Sequence, residues 1–230
     1  MSEPRASSDP ACAQQAGADP ADRTGAAPAE EGELGNPVLP ELSPGEGREL
    51  ARLAVEAIAA HLRGDPRDRH APEAARLRAP GASFVTLETS GRLRGCIGTL
   101  RAVRPLYLDV AHNARRATAD PRLPPVTLDD WTLLEVHVAV LSEPMPLPAQ
   151  HPAELLAGLR PGRDGLILED GHRRATFLPV VWRKLRRPDE FVRALLAKGG
   201  WPAGEWPSGL RASRYTSAEY TDTPPRMAIE

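Results

Sequence analysis

Residues 82–100 read ASFVTLETSGRLRGCIGTL, and the fold class follows from how this stretch is parsed. Ala82 to Glu88 has strand character, Thr89-Ser90-Gly91 supplies a turn, and Arg92 to Leu100 returns as a second strand. The spacing therefore predicts a β-hairpin. On its return strand Cys96 stands between Gly95 and Gly98, with Arg92, Arg94 and Arg101 close by in sequence. Glycine inside a strand gives up packing area and backbone entropy, so two of them mark a bulge or a close approach by a ligand or another backbone.

Two readings of Cys96 follow. Arginines near a thiol favour the thiolate, the nucleophilic form. In that reading Cys96 is a catalytic nucleophile, and Arg94 with the neighbouring backbone amides stabilises negative charge. In the other, Cys96 simply packs, as cysteine commonly does. The Gly95 to Gly98 segment then shapes a groove of a non-catalytic binding module for a protein or nucleic-acid partner.

Upstream of the hairpin, Ser43-Pro44-Gly45-Glu46 reads as a capping box with proline at the first helical position. Leu50, Leu53, Ala54, Ala57, Ile58 and His61 follow at helical spacing, which predicts a helix ending near Arg63, with His61 at the edge of its apolar face. Residues 1–42 hold eight acidic side chains against two arginines, a balance of −6 that leaves +4 for the remainder of a chain of net charge −2. That segment is nearly devoid of aliphatic residues and is expected to be a disordered acidic tail.

Downstream, Pro105 opens a helix through Leu106, Val110, Ala114 and Ala117 that closes at Asp120-Pro121. Leu134, Val136, Val138 and Val140 alternate with Glu135, His137 and Ala139, the pattern of a half-buried strand. A short helix begins at Pro152, a second hairpin turns at Asp170-Gly171-His172, and a helix from Pro188 ends at Gly199-Gly200. Tyr215 and Tyr220 fall in one last extended segment. Helices and hairpins interleave without a strand-helix-strand rhythm, so the expected class is α+β with a mostly antiparallel sheet and flanking helices.

The 230 residues suit one domain of two subdomains plus the tail, here residues 43–230 after 1–42. Cys12 and Cys96 are too few and too far apart for a disulfide framework, so a reducing, cytoplasmic setting is expected. Neither a secretion signal nor a membrane span is indicated. No Walker loop, dinucleotide fingerprint, HExxH helix, paired CxxC or EF-hand loop is present, so no cofactor is expected. One cysteine and scattered histidines make a poor zinc set, and no metal is expected either.

The thiol's candidate histidine partners are His112, on the helix after the hairpin, and His137, on the polar face of the long strand. Asp120 and Arg122 are read functionally as the rim of a Cys96 pocket and structurally as a helix stop and loop. The binding set is then Gly95, Gly98, Asp120, Arg122 and His112. Basic runs such as Arg183-Lys184 with Arg186-Arg187 usually mark a solvated helix face, and a surplus of +4 permits a nucleic-acid partner without demanding one.

These motifs carry a resemblance. Leu93-Arg94-Gly95-Cys96-Ile97-Gly98 resembles the six-residue signature of the AMMECR domain, and Ala119-Asp120-Pro121-Arg122-Leu123 its DPRF-like loop. Leu134-Glu135-Val136, Leu141-Ser142-Glu143-Pro144, Gly165-Leu166-Ile167, Phe177-Leu178-Pro179 and Phe191 with Leu195-Leu196 match in order over roughly residues 47–220. The resemblance implies two subdomains, the larger on an antiparallel sheet, and names no reaction. It further implies kinship with protein A of the AmmeMemoRadiSam set, whose partners are a Memo-type protein and a radical-SAM protein. Two departures stand out: Leu123 replaces a frequent phenylalanine, and Ala197-Lys198-Gly199-Gly200-Trp201 replaces a segment that often carries a second cysteine.

Overall fold

Ser43 starts the first helix as the sequence predicts: its hydroxyl accepts the N–H of Glu46 at 3.2 Å, and the Glu46 carboxylate accepts the N–H of Ser43 at 2.7 Å. Two otherwise orphaned donors are thereby satisfied. The helix, α1, runs over Pro44–Leu62 and buries Leu50, Leu53, Ala54, Ala57 and Ile58. His61 lies outside that buried stripe and is exposed, a correction to its expected place at the packed boundary.

A computed structural model describes residues 41–65, 71–204 and 206–229, so the acidic tail and Cys12 lie outside the described residues. The chain forms two compact units, one of Glu41–Val140 with the segment from Glu219 onward, the other of Leu141–Ala218.

In the first unit β1 (Pro80–Thr89) pairs antiparallel with β2 (Arg92–Gly98) across the predicted turn. Gly91 there has φ +73°, a backbone region that glycine enters without a Cβ penalty. The sheet order is β2-β1-β4-β9, with β4 at Leu134–Leu141, β9 at Ser217–Asp222, and the two-residue β3 (Arg104–Pro105) beside the start of β1. The one-turn α2 (Ala75–Arg78) precedes β1, and α3 spans Leu106–Ala117. One face of the sheet supplies Val85, Leu87, Ile97, Leu134, Val136 and Val138 to a core completed by α1 and α3. Strand alternation places Phe84, Thr86, Glu88, Cys96, Glu135 and His137 on the other face.

In the second unit a four-stranded sheet has the order β5-β8-β6-β7, with β5 at Met145–Pro146, β6 at Gly165–Glu169, β7 at Arg174–Phe177 and β8 at Arg211–Tyr215. Its core combines α4 (Pro152–Gly158) and α5 (Pro188–Lys198) with Trp182, whose ring stacks on Phe191 at 3.9 Å. The α+β expectation holds. Tyr215 and Tyr220, expected in one extended segment, instead lie on β8 and β9, strands of two different sheets. Among the described residues no helix is long and apolar enough to cross a membrane.

Candidate functional site

Cys96 is directly opposite Thr86 in the β1–β2 register, and the Thr86 hydroxyl donates to the Cys96 sulfur at 3.3 Å. The pairing slips between Leu87 and Glu88, where Gly95 faces Leu87 and Leu93 faces Glu88, so Arg94 is the extra residue of a β-bulge. Such a bulge re-aims a strand at the point where its neighbours change. Here it accompanies the passage from the exposed end of β2 to Cys96, which is 5 % exposed.

β2 is an edge of its sheet, so the outward backbone groups of Cys96 have no strand to pair with. Two side chains from the loop after α3 take that place. The Asp120 carboxylate accepts the Cys96 N–H at 3.0 Å, and the Arg122 guanidinium donates to the Cys96 carbonyl at 2.9 Å. Arg122 also donates to Asp120 through Nε at 2.8 Å and through Nη2, and its backbone N–H reaches Asp120 at 3.1 Å. Burial, the strongest single influence on Asp120, works to raise its pKa. The hydrogen bonds from Arg122 and Cys96, with the guanidinium charge, outweigh it and hold the carboxyl below its ordinary value of 3.8.

The glycines around Cys96 have specific occupants. A Cβ on Gly95 would lie 1.9 Å from the carbonyl oxygen of Ala117, the last residue of α3, and a Cβ on Gly98 would lie 2.2 Å from the Phe84 ring. The missing side chains are therefore space for the protein's own helix end and its own aromatic ring. Arg94 is engaged by Asp130 at 2.8 Å and by the carbonyl of Pro125 at 3.3 Å.

Of the residues singled out from sequence, the fold thus brings Gly95, Cys96, Gly98, Asp120 and Arg122 into one construction, with Arg94 on its flank. His112 is half-buried on α3, which packs against the Gly95 and Ile97 face of β2, opposite the Cys96 side chain. His137 hydrogen-bonds Thr221 at 3.1 Å, with Glu88 and Glu135 as its acidic neighbours. Sequence reasoning missed Thr86 and Asp130, whose roles depend on the hairpin register and on a distant turn. It also passed over Glu88 and Glu135, although the alternation of Glu135 with His137 already put both on one face.

A second polar cluster lies behind the strand ends. Asp109, fully buried on α3, accepts from the Ser83 N–H at 2.9 Å, the Ser83 hydroxyl at 2.7 Å, the Thr99 hydroxyl at 2.7 Å and the Asn113 amide at 3.0 Å. Burial dominates here and raises the Asp109 pKa above 3.8 despite these donors. The cluster ties α3 to β1 and to the residue after Gly98, fixing the helix whose far end meets Gly95.

Comparison with known proteins adds to this geometry. The family model described as AMMECR1 matches residues 51–220. A protein of Methanothermobacter thermautotrophicus is 43 % identical over 146 residues, spanning 61 % of this chain and 74 % of the relative. One from Thermofilum pendens is 34 % identical over 211 residues, 80 % of this chain and 93 % of the relative. The crystal structure of an uncharacterised protein from Pyrococcus horikoshii is similar with a TM-score of 0.74 and 30 % identity, over 82 % of this chain and 97 % of that one.

Proposed function

The chain belongs to the AMMECR1 family, and from that premise we propose that it is a binding component of a radical-SAM-associated modification system, with Memo-type and radical-SAM proteins as partners. The motif cysteine then belongs to the scaffold of the binding surface and performs no covalent step. The partners rest on the resemblance of the LRGCIG segment and the Asp120-Pro121-Arg122 loop to protein A of that set. The scaffold role rests on one observation, the double clamp of Asp120 and Arg122 on the backbone of Cys96. An amide that already donates to a carboxylate is not offered to an oxyanion, and Arg94 commits its Nη2 to Asp130 and to the Pro125 carbonyl. Rigid placement of a segment by such contacts is what a recognition surface requires.

A second reading keeps Cys96 as the nucleophile, and the Thr86 hydroxyl favours it, since a donor at 3.3 Å from sulfur stabilises the thiolate. Thiol titration of a Cys12→Ser protein, in which Cys96 is the remaining thiol, separates the two. The scaffold reading expects slow alkylation in the native fold and an ordinary rate after unfolding, with Cys96→Ser complementing a deletion as well as wild type. Rapid alkylation near neutral pH, together with failed complementation by a folded Cys96→Ser protein, establishes the nucleophile instead. Co-purification with the Memo-type and radical-SAM proteins tests the partners. For a nucleic-acid ligand, an affinity that does not change with salt excludes it.

A further inference from the structure

We propose that Glu88, Glu135 and His137 form a binding site for one divalent first-row transition cation on the polar face of the first unit's sheet. The three side chains come from adjacent strands, Glu88 from β1 and the other two from β4, and each offers one donor atom within 4.8 Å of the others. The His137 Nε2 lies 3.7 Å from a Glu135 oxygen and 4.0 Å from a Glu88 oxygen, too far for a hydrogen bond to either. That nitrogen is shielded from solvent and makes no hydrogen bond. A shielded polar atom without a partner calls for an explanation, and an ion between the nitrogen and the carboxylates supplies one.

Two further observations point the same way. Thr221, on β9, meets the other ring nitrogen, Nδ1, at 3.1 Å. With the threonine oxygen accepting, the proton sits on Nδ1 and the Nε2 lone pair faces the two carboxylates, the arrangement by which an outer hydrogen bond orients a metal-ligating imidazole. In addition, among the described residues neither Glu88 nor Glu135 is paired with an arginine or lysine; their shared ion-pair neighbour is the His137 ring. Two carboxylates so close on one sheet face repel, and a dication relieves that repulsion where a neutral imidazole does not.

The donor set narrows the ion. One imidazole with two carboxylates suits zinc, manganese, iron or cobalt better than magnesium or calcium, which take all-oxygen sets. Bond lengths of about 2.1 Å place neighbouring ligands roughly 3.4 Å apart, so each carboxylate closes on the His137 nitrogen by about half an ångström, and the two carboxylate oxygens close on each other from within 4.8 Å. Their side chains are about one third exposed and have room to do so. Three protein ligands leave coordination positions open to water or to an oxygen of a bound molecule.

The test uses the untagged full chain, stripped of metal and held near neutral pH. Titration with Co2+, followed by its visible absorption, is expected to show one equivalent bound, and Zn2+ is expected to displace it. His137→Ala abolishes that site, while Glu88→Gln and Glu135→Gln, both near-isosteric and partly exposed, each weaken binding roughly tenfold or more, as does Thr221→Val. Absence of stoichiometric binding overturns the proposal. Binding that persists unchanged in His137→Ala overturns it too, because the ion is then held elsewhere.

Discussion

The carbonyl oxygen of Ala117 occupies the space a side chain on Gly95 would need, 1.9 Å from an ideal Cβ. The end of α3 and the edge strand β2 touch backbone to backbone, and a methyl group cannot enter without displacing one of them. Gly95→Ala is therefore expected to destabilise the protein by about 3 kcal/mol or to prevent its folding, at the upper end of what overpacking produces. Gly98→Ala, opposed by the more yielding Phe84 ring, is expected to lose about 2 kcal/mol. Gly91→Ala meets nothing within 4 Å but keeps φ +73°, so a loss of about 1 kcal/mol is expected. Urea unfolding of the three proteins checks the order, and a Gly95→Ala protein as stable as wild type refutes the contact.

Asp120→Asn removes a carboxylate whose side chain is fully buried and leaves the Arg122 guanidinium without its charge partner. A loss of about 3 kcal/mol at neutral pH is expected, as for other broken buried pairs. Because the folded-state pKa of Asp120 is lowered, its contribution is complete above the unfolded value near 3.8 and disappears as pH falls through the folded one. The difference in stability between wild type and Asp120→Asn, followed by chemical denaturation from neutral pH into acid, should therefore shrink below about pH 4.

Asp109 and Asp120 are both buried yet titrate on opposite sides of 3.8. For Asp109 desolvation wins over its neutral donors, with Arg104 3.8 Å away; for Asp120 a guanidinium in direct contact wins over desolvation. The sign of the linkage reverses accordingly. Asp109 favours the folded state below its unfolded pKa, and that advantage is lost as pH rises through its folded pKa. Carboxyl carbon shifts followed by NMR against pH should show Asp109 titrating last and Asp120 first of the two.

In the second unit the hydroxyl of fully buried Tyr215 meets Thr176 at 2.8 Å and donates to the carbonyl of Phe177 at 3.1 Å, while its ring fills the space above Gly165. Tyr215→Phe keeps the ring and strands the buried acceptor, so a loss of about 1 to 2 kcal/mol in thermal or urea unfolding is expected. A neutral result would refute that contribution, because the Thr176 hydroxyl has one proton and donates it to the Leu166 carbonyl.

Local sequence determined much of this protein. The Ser43/Glu46 capping box, the Gly91 turn between β1 and β2, the alternation from Leu134 to Val140 and the Asp170-Gly171-His172 turn each depend on residues a few positions apart, and each is found where its pattern placed it. The ordered motifs were also enough to give the family. Tertiary structure alone decided why Gly95 and Gly98 are glycine, that Asp120 and Arg122 complete the edge of β2, and that Tyr215 and Tyr220 part into two sheets. Alternation says which way a side chain faces, but not which strand, helix end or loop will lie against it. Those partners are 14 residues away along the chain for Phe84 and Gly98, 22 for Ala117 and Gly95, and 173 for Tyr220 and Gly47, and only closing the chain on itself selects them.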